Sequence, residues 1–214
     1  MCARYRFGVP SGLEQLAKSR PMGLEIPCVE GCGVGIDAIG ANAIAIVQGA
    51  PGVDGFKVFR QSNEFYYLCG VETPNAYLLI DGQSRRSTLY LPHRNERRER
   101  SDGKVLSAED AELVVKLSGV DAVAGLDLLG EHLARYGSSG ATRALYTPLA
   151  PAEGLSVSRW GPLQALAQAG ADPFDGRPSR EGALVRTLRE RFPWLEVRNL
   201  TPTLDAARLV KSPR

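Results

Sequence analysis

The tetrapeptide Asp81-Gly82-Gln83-Ser84 separates two apolar runs, residues 76–80 and 87–91. Asp-Gly between strand-like runs is a hairpin signal, here with a loop a few residues long. An antiparallel pair is thereby set near the middle of the chain, and the remaining elements have to be built around it. Upstream, residues 43–47 (Ala-Ile-Ala-Ile-Val) form a nearly continuous apolar run closed by Gly49, Pro51 and Gly52, the pattern of a buried strand. Residues 65–68 are aromatic-rich and end at Gly70, which fits either a second strand or a short helix.

Downstream of the hairpin, helical and strand-like patterns alternate. Ser107 can cap a helix with Ala111, Leu113, Val114 and Leu117 on its apolar face, ending at Gly119. Residues 120–124 follow as a strand, and Asp127 can cap a second helix carrying Leu129, Leu133 and Tyr136. A weak strand at 143–146 is followed by a helix after Ser158, with Leu163, Leu166 and Ala167. Another begins after Ser179, carries Leu184, Val185 and Leu188, and stops at Pro193. Leu195, Val197 and Leu200 surround a last strand before Thr201-Pro202 opens a final helix. The alternation predicts an α/β fold: a mixed β-sheet with a central antiparallel hairpin, flanked by helices. The first forty residues read less regularly. Leu13, Leu16 and Ala17 have helical spacing, whereas Pro27, Gly31, Gly33 and Gly35 suggest irregular backbone.

With 43% hydrophobic and 23% charged residues, the composition is that of a folded globular protein rather than a disordered one. The 26 basic and 24 acidic residues leave a net charge of +2, so no chain-wide electrostatic footprint for nucleic acid or membrane surface exists. Arg4, Arg6, Glu14, Lys18 and Arg20 interrupt any stretch of signal-peptide length, and no apolar run approaches the ~20 residues that cross a bilayer. Four cysteines (Cys2, Cys28, Cys32, Cys69) are too sparse for a disulfide scaffold at this size, so a cytoplasmic location with reduced thiols is expected.

A search for chemistry finds no complete site. Metal centres need several ligands together, and the only histidines, His93 and His132, lack a second His at helical spacing. Cys28 and Cys32 are half of a zinc-type spacing with no second half. Residues 33–38 (Gly-Val-Gly-Ile-Asp-Ala) match a dinucleotide fingerprint, with Asp54 about twenty residues on. The strand that should precede it is spoiled by Pro27 and Gly31, and Gly40 and Asn42 cut short the helix that should follow. No Gly-x-Ser-x-Gly elbow occurs. His132 reads as a partly buried structural residue; His93, at the end of a strand, is the better functional candidate. The mixed-sign run from Arg94 to Arg100 reads as a solvated helical face with intrahelical pairs.

One stretch carries more information. Phe59-Arg60-Gln61-Ser62-Asn63-Glu64-Phe65-Tyr66-Tyr67-Leu68-Cys69-Gly70, continued by Pro74 and Ala76, resembles the hallmark of the aminopeptidase P N-terminal domain. Ser87-Thr88-Leu89-Tyr90-Leu91-Pro92 is similar to that family's second hairpin strand, and His93-Arg94-Asn95 to its Pro-Arg-Asp corner. Gly119-Val120-Asp121 resembles the strand that follows, and Leu209-Val210-Lys211-Ser212-Pro213 the segment leading to the catalytic domain. The resemblance covers about residues 40–214, is dense over 59–92 and thin over 137–200.

The resemblance implies a ribonuclease H-like, creatinase-type N-terminal domain over residues 1–210, with residues 1–40 poorly matched. Residues 211–214 would start a helix toward a pita-bread catalytic domain, because Ser212-Pro213 has the N-cap and first-turn residues of a helix that nothing follows. A frayed tail is the other reading of that tetrapeptide. The implied parent is a metal-dependent Xaa-Pro aminopeptidase or prolidase acting on proline-containing peptides. Its two divalent metal ions, expected to be manganese, would sit in the catalytic domain, and no cofactor or catalytic residue is assigned here. The implied partners are that catalytic domain and further copies of the chain, with no nucleic acid and no membrane. Arg60, Tyr67, His93 and Arg94 are the candidate interface or substrate-channel residues. Ser101 stands where the family often has a Trp bordering the channel. A stand-alone ligand- or protein-binding module is the rival reading, and a dinucleotide enzyme built on residues 33–38 is a third.

Overall fold

The computed structural model describes residues 37, 39–53, 58–138, 140, 142–154 and 158–209. Cys28, Cys32, most of the 33–38 segment, Asp54 and the 211–214 tail therefore lie outside the described residues.

The strands are β1 (Ala43–Gln48), β2 (Tyr77–Asp81), β3 (Arg86–Leu91), β4 (Ala122–Gly125), β5 (Ala144–Thr147) and β6 (Glu196–Asn199). They form one sheet in the order β4-β3-β2-β1-β5-β6. β2 is antiparallel to both β1 and β3, whereas β3–β4, β1–β5 and β5–β6 pair in parallel. This is the expected mixed sheet, with β2 alone running against the other five.

The hairpin has Tyr77 opposite Tyr90 and Asp81 opposite Arg86. Asp81 organises its turn by accepting from the Gln83 N–H (2.9 Å) and the Ser84 hydroxyl (2.6 Å). Gly82 is needed for proximity: a Cβ there would stand 2.0 Å from the Gly40 carbonyl oxygen. Arg85 supplies the left-handed turn residue, at φ 54°.

Seven helices flank the sheet among the described residues: α1 (Asn63–Cys69), α2 (Glu96–Asp102), α3 (Ala111–Ser118), α4 (Leu129–Ser138), α5 (Trp160–Ala171), α6 (Arg180–Arg191) and α7 (Thr201–Leu209). The aromatic stretch is thus a helix. Phe65, Leu68 and Cys69 share one buried face at three- and four-residue spacing, and Gly70, left-handed at φ 64°, closes the helix on the Tyr66 carbonyl (2.8 Å). The helix read after Ser179 is α6, and the Ser179 side chain caps it (2.9 Å from the Gly182 N–H). Ser107 precedes a short 3-10 turn, Ala108–Asp110, that leads into α3; its N–H and hydroxyl both donate to Asp110 (3.1 and 2.9 Å).

One expected cap is not realised. Asp127 lies inside a 3-10 turn, Leu126–Leu128, and its carboxylate is engaged by His93 instead. Before α5, which follows Ser158 as read from the sequence, the cap position is Arg159.

Alternation along β1 sends Ala43, Ala45 and Val47 to one face and Ile44 and Ile46 to the other. The first face packs on Phe65 and Leu68 of α1, Val114 of α3 and Leu204 of α7. The second packs on Leu133 of α4, Leu188 of α6 and Phe192. Both faces of the central strands are therefore covered, as their near-continuous apolar sequences required.

Candidate functional site

Because five strands run together, their carboxyl ends open on one edge of the sheet. The loops that leave this edge hold the chemistry-bearing residues, as open α/β sheets generally do. Leu91 pairs with Gly125, so the residues two positions beyond each strand, His93 and Asp127, emerge side by side. His93 Nε2 lies 2.9 Å from Asp127 Oδ1, and His93 Nδ1 lies 2.7 Å from Glu109 Oε1. The other Glu109 oxygen accepts the Arg94 N–H at 2.8 Å. The Arg94 guanidinium reaches Asp110 at 2.8 Å, with Lys104 at 3.3 Å from the same carboxylate.

Gly125 makes this cluster sterically feasible. A Cβ on it would meet Asp127 Oδ1 at 2.3 Å and His93 Nε2 at 2.7 Å.

The electrostatics follow from the geometry. Hydrogen bonds to Glu109 and then Asp127 raise the His93 pKa, because a carboxylate facing each ring nitrogen favours the protonated ring. The same contact with His93 is the largest influence drawing Glu109 down to about 2, and it lowers Asp127 as well. Burial pushes Asp110 upward, but Ser107, Arg94 and Lys104 outweigh it and leave that carboxyl lowered. An imidazole clamped between two carboxylates is neither a free base nor a nucleophile. It joins the β3–α2 loop to the turns before α3 and α4.

The other candidate residues lie apart from this cluster. Arg60 pairs with Glu72 (3.0 Å), and the Tyr67 hydroxyl donates to the Ala207 carbonyl of α7 (2.9 Å). Buried Gln61 donates to the Thr73 carbonyl (3.0 Å) and accepts the N–H groups of Ala50 and Ser62. The polar run beside the aromatics is therefore structural in the main, as burial demands. Ser101 Oγ donates to the Arg98 carbonyl (3.1 Å). Partly buried His132 meets the Tyr90 hydroxyl at 2.8 Å, and burial pushes that phenol up to about 12.

Sequence reasoning passed over a second ionic centre. Glu64, only 4% exposed, accepts from Arg159 (2.9 Å), Arg208 (3.3 Å) and the Glu153 N–H (3.2 and 3.1 Å to its two oxygens). Arg159 also forks onto Asp205 (2.7 and 2.9 Å), and Arg208 reaches Glu153 (2.8 Å). Hydrogen bonding to Asp205 is the main cause raising the Arg159 pKa, and the same contact lowers Asp205. A helical reading of residues 63–69 would have put Glu64 and Leu68 on one buried face and raised the question of its partner. Among the described residues, no group of three or more His, Cys, Asp or Glu is placed to hold a metal ion. Nor is any helix there long and apolar enough to cross a membrane.

Comparison with known proteins gives a consistent picture. A family model described as "Aminopeptidase P, N-terminal domain" matches residues 35–146. A "Probable Xaa-Pro aminopeptidase" of Aspergillus flavus is 32% identical over 142 residues, covering 62% of this chain and 28% of the relative. Among solved structures, an aminopeptidase P from Bacillus anthracis, itself provisionally assigned, matches with a TM-score of 0.65 at 19% identity, over 86% of this chain and 40% of that one. Aminopeptidase P of Escherichia coli matches in its form with the inhibitor Pro-Leu (TM-score 0.60, 17% identity, 87% of this chain and 39% of that one). Its zinc-substituted form with product matches at a TM-score of 0.58 (16% identity, the same coverage). The chain thus spans under a third of the Aspergillus relative and about two fifths of the solved chains.

Proposed function

The chain belongs to the aminopeptidase P N-terminal domain family, and from that premise we propose that it is the non-catalytic companion of a metal-dependent Xaa-Pro peptidase domain. In this reading residues 1–210 form the domain and residues 211–214 lead toward the catalytic half. The domain supplies contact surface between copies of the protein and helps to shape the substrate channel. Arg60, Tyr67, His93 and Arg94 are its proposed contributors, and proline-containing peptides are the substrates of the whole protein. Two divalent metal ions, manganese by preference, belong to the catalytic half. The zinc-substituted form of the Escherichia coli relative supports metal dependence of the whole protein. We place the protein in the cytoplasm on its cysteine usage; Cys69 is a buried free thiol.

The observation that carries the reading is the clamp on His93. Its two nitrogens face Glu109 and Asp127 at 2.7 and 2.9 Å. The histidine best placed for chemistry is thereby committed to holding loops in position, which suits a rigid wall and not a reacting group. Hydrogen–deuterium exchange tests the contact role. In a protein carrying both halves, the loops holding Arg60, His93 and Arg94 should exchange more slowly than in this domain alone. Equal exchange in the two would remove the proposed contact surface.

A further inference from the structure

The strand order places a second feature at the same edge. From β1 the chain builds outward through β2, β3 and β4, then returns to the other side of β1 as β5. The segments after β1 and β5 diverge there, and ligands of open α/β sheets bind at such a switch point. A cleft of about 540 Å³ occupies it, a size typical of small-molecule sites. Pro51, Leu166 and Pro178 give it apolar walls, while Gln48, Ser62 and Arg180 bring polar groups to it.

Arg180 differs from the arginines around it. Arg60, Arg159, Arg177 and Arg208 each hold a carboxylate within 3.0 Å. The Arg180 guanidinium donates only to the Gly49 carbonyl and makes no ion pair among the described residues. It stands on the first residue of α6, where the helix terminus also favours an anion. Burial lowers its pKa and outweighs the opposing influence of Tyr77 and Glu181, neither of which pairs with the guanidinium.

Ser62 is the second sign. It is 6% exposed and occupies the N-cap position of α1, yet its hydroxyl does not cap the helix and has no hydrogen-bond partner. Gln48 Oε1 is likewise buried and unpartnered. These groups converge on one short segment. Arg180 binds Gly49, and Ala50 donates to the Gln61 oxygen that also accepts the Ser62 N–H. Ser62 and Gln48 also border a void of about 20 Å³ shared with unpartnered Thr147 Oγ1, room for one bridging water.

We propose that this cleft binds a small organic carboxylate bearing a neighbouring O–H or N–H donor, its carboxylate on Arg180 and its polar end toward Gln48 and Ser62. A monoanion suits one cation without an ion pair, because Glu153 and Glu181 on the same lining oppose further negative charge. The unpartnered Gln48 oxygen needs a donor from the ligand or a bridging water.

Amide NMR titrations of the full chain with acetate, glycolate and inorganic phosphate at constant ionic strength test this. The amides of Gly49, Ala50 and Ser62 should shift saturably with acetate and glycolate, and glycolate should bind about threefold more tightly. Arg180→Gln should weaken both by about tenfold. Absence of saturation, preference for phosphate, or an unchanged Arg180→Gln variant would each overturn the proposal. Should Arg180→Gln fail to fold, Ser62→Ala decides, since it removes no observed bond. It should erase the advantage of glycolate over acetate, and retention of that advantage would count against the site.

Discussion

Replacing Glu64 by alanine should be the most damaging single change to a charged residue in this domain. The substitution strands two guanidinium groups, Arg159 and Arg208, and the Glu153 N–H in a largely buried place. Removing one partner of a fully buried pair costs about 3–5 kcal/mol. Here the loss is smaller for two reasons. Arg159 keeps its fork onto Asp205, and Arg208 keeps Glu153. Their side chains also retain 18% and 23% exposure, so water softens the penalty. A cost of about 2–3 kcal/mol follows. For a chain of this length that is a fall in Tm of about 4–12 °C. Urea unfolding would measure it as a lower midpoint at unchanged slope. Glu64→Gln, which keeps the shape and loses the charge, should cost about half as much. A loss under about 0.5 kcal/mol for Glu64→Ala would mean that the network is ornamental and the reasoning wrong.

Three further outcomes follow from the geometry. Gly125→Ala should displace His93 from Asp127, and an NMR titration should show the His93 pKa fall back toward its ordinary value; an unmoved pKa would contradict the clamp. His93 is raised in the folded state, so its contribution is complete below about pH 6.5 and disappears as pH rises through the folded value. The stability gap between the wild type and His93→Gln should therefore shrink with rising pH, and a widening gap would refute the assignment. The Glu109 contribution has the opposite sense, fading as pH falls from its ordinary value toward about 2. Gly82→Ala should destabilise by about 1–3 kcal/mol through its clash with the Gly40 carbonyl, and a neutral result in thermal melts would show that the hairpin can shift aside.

Much of the sheet was legible in the sequence because strands buried on both faces announce themselves as apolar runs. Residues 43–47 and the two arms around Asp81-Gly82 are read directly from that pattern. The aromatic stretch was ambiguous because four residues cannot separate a two-residue from a 3.6-residue period. Its helical state follows from Gly70 and from packing against α7. Asp127 misleads for a related reason. An Asp before an apolar periodic run suits a cap, but pairing of Leu91 with Gly125 brings His93 to its carboxylate, and the tertiary contact prevails. Glu64, Arg159 and Arg208 are separated by long stretches of chain, so no local spacing could reveal their meeting. His93 drew notice from its place at a strand end; Glu109 and Asp127, its partners, come from later turns.

If the chemistry of the parent reaction lies outside this domain, as proposed, the isolated chain is inert toward peptides. Steady-state assay of the purified chain on a peptide with proline in its second position, with manganese or zinc added, tests it most directly. The first residue should be released no faster than in a protein-free control. Metal-dependent turnover at about 1 s⁻¹ or more, within the range of ordinary enzymes, would contradict it.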